Sequence, residues 1–265
     1  MPALPPASPL FDLTGRLALV TGSSGGIGLA IAAGLADAGA HVILNGRDAS
    51  RLDDAAARLR DTTPQGGTRT ILTRTFDVTD RLAVEDAVGA IEAQDGPIRI
   101  LVNNAGIQRR APLDVFPPED WAEIIRTNLD SVFFVGTAVA RHMIPRGMGK
   151  IINIGSVQCE LARPGIAPYT ATKGAVKNLT RGMCADWARH GLQINAIGPG
   201  YFETPLNRAL VEDPEFNAWL TKRTPAGRWG KVEELQGAAV FLASDASSFV
   251  NGQTLYVDGG VLSVL

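Results

Sequence analysis

The sequence predicts an α/β fold, in which one doubly wound parallel β-sheet of about seven strands carries helices on both faces. Short β-branched apolar runs alternate with longer helical patterns along the 265 residues, as in parallel sheets. The strand runs are almost continuously apolar, which indicates burial on both sides. A glycine-rich turn joins the first strand to the first helix, and composition shows no break. We therefore expect a single domain over residues 1–265.

The first half of the chain alternates strictly between strands and helices. The predicted strands lie in residues 16–22, 40–46, 68–80 and 98–106, and the predicted helices in residues 26–39, 48–60 and 81–96. Gly39 is suited to end the first helix, because glycine adopts a left-handed conformation without strain. Asp48 or Ser50 is suited to begin the second helix, since either side chain can accept a hydrogen bond from a free backbone N–H.

The second half continues the alternation around one irregular segment. The predicted helices lie in residues 117–144, 169–190 and 232–243, and the predicted strands in residues 149–156, 192–200 and 253–260. Residues 201–230 show no regular period and are expected to form a looser region. The proline-rich residues 1–10 are expected to form an N-terminal arm.

Composition excludes several classes of protein. The chain is 45% hydrophobic and 20% charged, which is typical of a globular protein. Its net charge of −2 predicts no nucleic-acid partner, because such proteins carry a basic excess. The most apolar run, residues 131–140, is too short to span a membrane, and the N-terminus lacks signal-peptide features. The two cysteines and three histidines show no disulfide or metal spacing, so we expect a soluble cytoplasmic protein without a required metal.

The glycine-rich turn, TGSSGGIG, predicts a nucleotide site at the end of the first strand. Its glycines, Gly22, Gly26 and Gly28, follow the spacing G-x-x-x-G-x-G. Glycine lets the backbone approach a pyrophosphate, and the following helix offers free N–H groups and a positive dipole end. A glycine-rich stretch alone is also compatible with an ordinary tight turn, so the interpretation depends on its position between a strand and a helix.

Three polar residues in the second half form a candidate catalytic group. Tyr169 and Lys173 share one face of a predicted helix, and Ser156 ends the preceding strand. Hydride transfer at a carbonyl carbon needs a proton on the oxygen, which a tyrosine can supply if a nearby ammonium lowers its pKa. Lowering the tyrosine pKa by about 3 units, to near neutral, requires the phenolate to be stabilised by about 4 kcal/mol relative to the phenol. The serine hydroxyl would polarise the substrate oxygen. The alternative is a half-buried tyrosine beside an exposed lysine.

The chain resembles the short-chain dehydrogenase/reductase family in four features taken together. These are the glycine turn, the segment NNAG after the fourth strand, the serine and the Y-x-x-x-K pair. The resemblance implies a Rossmann-type fold and nicotinamide-dependent oxidoreductase activity. It assigns Asn128 as a further catalytic residue, which helps to hold a water molecule linking Lys173 to solvent. The cofactor contacts that it implies, besides the three glycines, are Ile27, Asp77, Val78, Asn104, Ala105, Gly106, Tyr169, Lys173, Pro199 and Gly200.

Longer blocks of the chain, from Leu10 onward, resemble members of this family that act on sugar acids. The resemblance implies hydride transfer at C5 between D-gluconate and 5-keto-D-gluconate, a homotetramer, and a substrate lid over residues 201–230. Guanidinium groups bind carboxylates, and amides suit sugar hydroxyls. The candidate substrate-binding residues are Arg109, Ser156, Gln158, Arg163 and Tyr169, with Arg110 and Glu160 nearby. Each arginine is equally compatible with a solvated loop or a subunit contact.

Two other functions stay open at this point. A reductase of 3-oxoacyl thioesters, or of another polyol or sugar, would use the same catalytic residues. A nucleotide-binding regulator could keep the fold without the reaction. The presence of Ser156, Tyr169 and Lys173 together favours an enzyme, since binding alone does not require all three.

The end of the second strand indicates which nicotinamide cofactor is preferred. Dinucleotide folds often place an Asp or Glu here, which binds the ribose 2′-hydroxyl of NAD and repels a 2′-phosphate. Asn45 removes that repulsion, Arg47 supplies a cation, and Ser24 in the glycine turn can add a hydroxyl. We therefore predict NADP in preference to NAD. Gly25 stands where many NADP-using relatives carry a second basic residue, so Arg47 is expected to act nearly alone.

Overall fold

The computed structural model describes residues 8–62 and 70–265 and contains one seven-stranded parallel sheet between two helix layers. The strands are β1 (Leu17–Val20), β2 (His41–Gly46), β3 (Ile71–Thr75), β4 (Ile98–Asn103), β5 (Gly149–Ile154), β6 (Leu192–Pro199) and β7 (Thr254–Val257). The α-helices are α1 (Gly26–Asp37), α2 (Ala49–Thr62), α3 (Arg81–Gln94), α4 (Pro118–Ile125), α5 (Ser131–Arg146), α6 (Ala167–Trp187), α7 (Arg208–Val211), α8 (Pro214–Arg223) and α9 (Gln236–Ala243). This architecture confirms the predicted fold class. Of the predicted N-terminal arm, residues 1–7 lie outside the described residues, and Ser8–Phe11 forms a 3₁₀ turn.

Alternate residues of the central strands contact opposite helix layers, which explains the continuous apolar runs. In β1, Ala18 and Val20 belong to a core shared with α1, α2 and α9. Leu17 and Leu19 belong to the opposite core, shared with α3, α5 and α6. Leu19 is fully buried, and burial of one such side chain stabilises a fold by about 1.5–3 kcal/mol. Both faces of the sheet therefore carry a hydrophobic core.

The strand order, β3-β2-β1-β4-β5-β6-β7, fixes where a ligand can bind. The chain runs outward from β1 to β3 and then returns to place β4 on the other side of β1. The connections after β1 and β4 consequently diverge and leave a crevice at the carboxyl ends of the strands. The glycine turn follows β1 and Asn104 follows β4, so both predicted cofactor segments border this crevice.

Two predicted segments differ from the structure. Residues 117–144, predicted as one helix, consist of α4, a π-helical turn (Arg126–Asp130) and most of α5. A π turn holds an extra residue, which an apolar pattern fitted to 3.6 residues per turn does not detect. Residues 201–230, predicted to be loose, contain α7 and α8. Asp213 begins α8, because its carboxylate accepts hydrogen bonds from the N–H groups of Glu215 and Phe216.

Within residues 8–62 and 70–265, no helix combines the length and the apolar character needed to cross a lipid bilayer. The same residues contain no group of three or more His, Cys, Asp or Glu side chains arranged to hold a metal ion.

Candidate active site

A cavity of about 690 Å³ extends along the carboxyl ends of the strands. It begins at the glycine turn and the end of β2, passes the ends of β4 and β5, and finishes beneath residues 201–210. Its lining contains every residue predicted for the cofactor, catalytic and substrate sites except three. Those three are Gly28, Arg109 and Asn128.

Hydrogen bonds join the glycine turn to the segment after β4. Thr21 Oγ1 accepts from the N–H groups of Asn104 (2.9 Å) and Ala105 (3.1 Å). Asn104 Nδ2 donates to the carbonyl oxygens of Thr21 and Gly22, both at 3.0 Å. Gly22 has a φ of +61°, and a Cβ there would lie 2.8 Å from Ala105 Cα, so only glycine fits. Gly28 lies behind the cavity wall, where its missing Cβ leaves room for the Asn104 amide.

Asn45, at the end of β2, lines the cavity and also joins two strands. It is buried, and its Nδ2 donates to the carbonyl oxygens of Arg74 (3.2 Å) and Phe76 (3.1 Å). The amide therefore joins β2 to the end of β3. Arg47 lies exposed at the cavity mouth, with Nη1 at 3.9 Å from Asp77 Oδ2. The cation predicted at this end of the cavity is thus present, while the neighbouring amide is used to hold the sheet together.

A second cation at this end, Arg51, was not identified from the sequence. It lies in the first turn of α2 and lines the same cavity as Arg47. Its N–H donates to Asp48 Oδ1 at 3.1 Å, so Asp48 begins the helix and Ser50 does not. The available signal was the four-residue spacing between the two arginines, which places both near one helix terminus.

The three predicted catalytic residues meet near the middle of the cavity. Tyr169 and Ser156 line the same part of the cavity, where the serine hydroxyl lowers the pKa of the phenol, and Ser156 Oγ accepts from the N–H of Gln158 at 3.1 Å. Lys173 Nζ lies 5.5 Å from the centre of the Tyr169 ring and donates to the carbonyl oxygen of Ile154 at 2.7 Å. The end of β5 and the first two turns of α6 thus bring a hydroxyl, a phenol and an ammonium together.

Burial changes the proton affinity of the phenol and of the ammonium. Desolvation, opposed by the hydrogen bond from Ser156, raises the pKa of Tyr169 to about 12. Desolvation lowers the pKa of Lys173 to about 8, so this group remains charged at neutral pH. The ammonium beside the ring favours a lower tyrosine pKa, whereas burial acts in the opposite direction. The phenol is therefore a proton donor in the ligand-free site.

Asn128 lies on the π turn behind the cavity wall. Its Oδ1 accepts from the N–H of Ile107 at 2.8 Å, and its Nδ2 donates to the Ile107 carbonyl oxygen at 2.9 Å. Nδ2 also lies 3.4 Å from Thr172 Oγ1, next to Lys173 in the chain. The side chain thus connects the segment after β4 to the helix that carries the lysine.

Of the two consecutive arginines after NNAG, the structure brings only Arg110 into the cavity. Arg109 lies 2.8 Å from Glu123 Oε2 and 3.7 Å from Asp120 Oδ1, both on α4. Arg163 lines the cavity beside Arg110. Desolvation and the charge of Arg163 together lower the pKa of Arg110. Adjacent residues of a loop point in different directions, which the sequence could not assign.

Residues 201–230, predicted as the lid, contribute an aromatic wall to the same end of the cavity. Tyr201 lines the cavity, and its ring centroid lies 5.9 Å from those of Phe216 and Trp229. Gln158 is buried and its Nε2 lies 3.4 Å from the Tyr201 hydroxyl. Among the described residues, Gln158 Oε1 has no hydrogen-bond partner. Tyr201 was not identified from the sequence because no period or motif marks it.

A parallel sheet with a glycine-lined crevice at the reversal of strand order, and a Ser–Tyr–Lys group in that crevice, define a nucleotide-dependent oxidoreductase. A family profile of short-chain dehydrogenases, described as enoyl-(acyl carrier protein) reductase, matches residues 22–262. The chain belongs to the short-chain dehydrogenase/reductase family.

Individual relatives are similar over nearly the whole chain. The gluconate 5-dehydrogenase of Gluconobacter oxydans (strain 621H) is 65% identical over 252 residues, which are 95% of this chain and 96% of the relative. The 5-keto-D-gluconate 5-reductase of Escherichia coli (strain K12) is 53% identical over 253 residues, 96% of this chain and 98% of the relative. The crystal structure of a gluconate 5-dehydrogenase from Burkholderia cenocepacia J2315, in complex with NADP and tartrate, superimposes with a TM-score of 0.94 at 60% identity. That match covers 98% of this chain and 100% of the other.

Proposed function

We propose that the chain is an NADP-dependent enzyme that interconverts D-gluconate and 5-keto-D-gluconate. The observation that carries this proposal is the meeting of Ser156, Tyr169 and Lys173 with two arginine side chains in one cavity. The first three can move a proton to or from an oxygen atom, and the arginines can bind a carboxylate. Similarity to relatives named for these two sugar acids supports the same substrate pair.

The cavity fits a dinucleotide with an additional phosphate. Gly22 and Gly26, with φ of +61° and +56°, leave backbone room for a pyrophosphate at the N-terminus of α1. Arg47 and Arg51 line the far end, where two guanidinium groups would bind a ribose 2′-phosphate. Many NADP-using relatives carry a second basic residue where this chain has Gly25, and Arg51 is proposed to supply that second positive charge instead. The NADP complex of the Burkholderia relative supports the same cofactor, and we propose a preference for NADP over NAD.

The residues of the chain hold and move the proton. When bound, NADPH would supply a hydride to the ketone carbon, and NADP⁺ would accept one from the alcohol carbon. During reduction, Tyr169 donates its phenolic proton to the carbonyl oxygen, and the Ser156 hydroxyl hydrogen-bonds to the same oxygen. The Lys173 ammonium stabilises the phenolate that remains. During oxidation the phenolate accepts the proton of the 5-hydroxyl, so the same three side chains serve both directions.

The substrate end of the cavity suits a small hydroxylated anion. Arg110 and Arg163 are proposed to bind the carboxylate, and Gln158 a hydroxyl group, since its Oε1 is a buried acceptor. Arg109, engaged by carboxylates of α4, is not assigned to the substrate. Residues 201–230 are proposed to form the lid over this end.

Two alternative functions are distinguished by one set of assays. The profile description, enoyl-(acyl carrier protein) reductase, favours a thioester substrate, whereas Arg110 and Arg163 favour an anion. The experiment follows nicotinamide absorbance with gluconate, 5-ketogluconate and an acetoacetyl thioester, using each nicotinamide cofactor in turn. We expect turnover of the two sugar acids with NADP(H). Thioester turnover without sugar-acid turnover would overturn the proposal, as would cofactor binding without any turnover.

The role of Tyr169 is tested in the same assay. Tyr169→Phe keeps the ring and removes the proton, so activity should be lost while NADP binding, measured by fluorescence, is retained. Near-normal turnover would remove Tyr169 from the mechanism.

We also propose that the enzyme is a homotetramer that works in the cytoplasm. Exposed apolar side chains on α4 and α5, Trp121 and Phe133, support subunit contacts. The two free cysteines, Cys159 and Cys184, suit a reducing compartment. Light scattering after size-exclusion chromatography and cell fractionation test these two statements. A monomer, or recovery outside the cytoplasm, would contradict them.

A further inference from the structure

Tyr201 lines the same cavity as Tyr169 and the proposed substrate-binding arginines. It follows β6 directly after Pro199 and Gly200 and lines the cavity, where its ring is held by other aromatic rings. Trp229 packs edge-on against it with an interplanar angle of 86°, and the Trp229 indole N–H donates to Asn217 Oδ1 at 2.7 Å. The phenol is therefore fixed in place before any ligand binds.

The hydrogen-bond partners of the Tyr201 hydroxyl leave its hydrogen unused. Gln158 Nε2 donates to this oxygen at 3.4 Å. The positive charge of Arg163 also acts on this hydroxyl, and a guanidinium can only donate hydrogen bonds. With both neighbours acting as donors, the oxygen accepts and the O–H points to a third partner. Burial raises the pKa of Tyr201, so the hydroxyl keeps its hydrogen at neutral pH.

The third partner, a hydrogen-bond acceptor for the Tyr201 hydroxyl, is expected beside the two arginines that line this end of the cavity. Arg110 and Arg163 give this end of the cavity a positive charge. Arg163 also stacks on the lid, with its guanidinium carbon 5.2 Å from the centre of the Phe216 ring. A carboxylate has about four acceptor positions, enough for two guanidinium groups and one phenol. An acyl thioester offers no charged acceptor at this point.

We propose that Tyr201 is a substrate-binding residue that donates its phenolic hydrogen to the carboxylate of the sugar acid. It acts with Arg110 and Arg163, and the aromatic residues of the lid hold it in position. This inference rests on the proposed function. It assigns to the lid a direct part in selecting hydroxylated carboxylates over thioesters.

The test compares Tyr201→Phe with a matched control. Phenylalanine keeps the ring and its contacts with Phe216 and Trp229, and removes only the hydroxyl. The KM for gluconate should rise by roughly 10- to 100-fold, as for loss of one hydrogen bond to a charged group. The kcat should change by less than about 2-fold, because the contact is equal in ground and transition states. The KM for NADP should not change.

Tyr256→Phe is the control. Of the three tyrosines in the chain, Tyr256 is the one outside the cavity lining, and its hydroxyl donates to Glu160 at 2.6 Å. Its KM for gluconate should equal that of the wild type. A Tyr201→Phe variant with a wild-type melting temperature and an unchanged KM would overturn the inference. Failure of the proposed function is a separate outcome, because the wild-type enzyme would then not turn over gluconate at all.

Discussion

Lys173→Met tests whether the ammonium controls the proton affinity of the Tyr169 phenol. The Lys173 Nζ lies 5.5 Å from the centre of the ring. At an effective dielectric constant of about 20, a unit charge at this distance stabilises a phenolate by about 3 kcal/mol, which corresponds to about 2 pKa units. Burial holds the pKa of Tyr169 at about 12 in the ligand-free site, so the oxidative direction, which needs phenolate, depends most strongly on this charge.

The assay measures kcat for gluconate oxidation between pH 6 and pH 10 at saturating NADP, because Lys173 is also a proposed cofactor contact. At pH values below the apparent pKa, the rate of the methionine variant should be about 100-fold lower than that of the wild type. Its pH profile should move about 2 units upward. Lys173→Arg keeps the positive charge and should move the profile by less. A methionine variant that is slow at every pH, with an undisplaced profile, would refute the electrostatic reasoning.

The remaining predictions concern the cofactor, the sheet and the glycine turn. Arg47→Asp should lower kcat/KM for NADP relative to NAD by about 10- to 100-fold, and an unchanged ratio would contradict the phosphate assignment. Desolvation lowers the pKa of buried Lys150 to about 8, so its charge opposes folding below that pH and ceases to do so as the pH rises toward the ordinary lysine value. Lys150→Met should therefore raise the melting temperature by about 4 °C at pH 7 and by less at pH 10. An equal rise at both pH values would contradict this expectation. Gly22→Ala, strained at positive φ and against Ala105, should lower the free energy of unfolding by at least about 1–2 kcal/mol, whereas Gly25→Ala, in open space, should not.

The sequence was most informative where local chemistry has only one geometric solution. A glycine with positive φ after a strand, such as Gly22, and a Tyr–Lys pair one helical turn apart are determined by neighbours in the chain. The alternation of apolar runs likewise predicted the layers of the fold. These features depend on short-range backbone geometry, which the order of residues specifies directly.

The features that the sequence did not predict depend on packing between distant segments. The choice between Arg109 and Arg110 depends on α4, which supplies carboxylates to the first and leaves the second in the cavity. The burial of Asn45 depends on carbonyl oxygens at the end of β3. Tyr201 enters the site because Phe216 and Trp229 pack around its ring. None of these contacts has a fixed spacing in the chain.

The π turn at Arg126–Asp130 limits which changes of chain length the enzyme can accept. Deleting one residue there would restore regular helical bonding and rotate α4 relative to α5 by about 100°, the angle that one residue spans in an α-helix. The Asn128 side chain would then leave the backbone groups of Ile107. Substitutions on the outer face of this segment leave that rotation unchanged, but insertions and deletions alter it. The number of residues between α4 and α5 is therefore constrained separately from their identity.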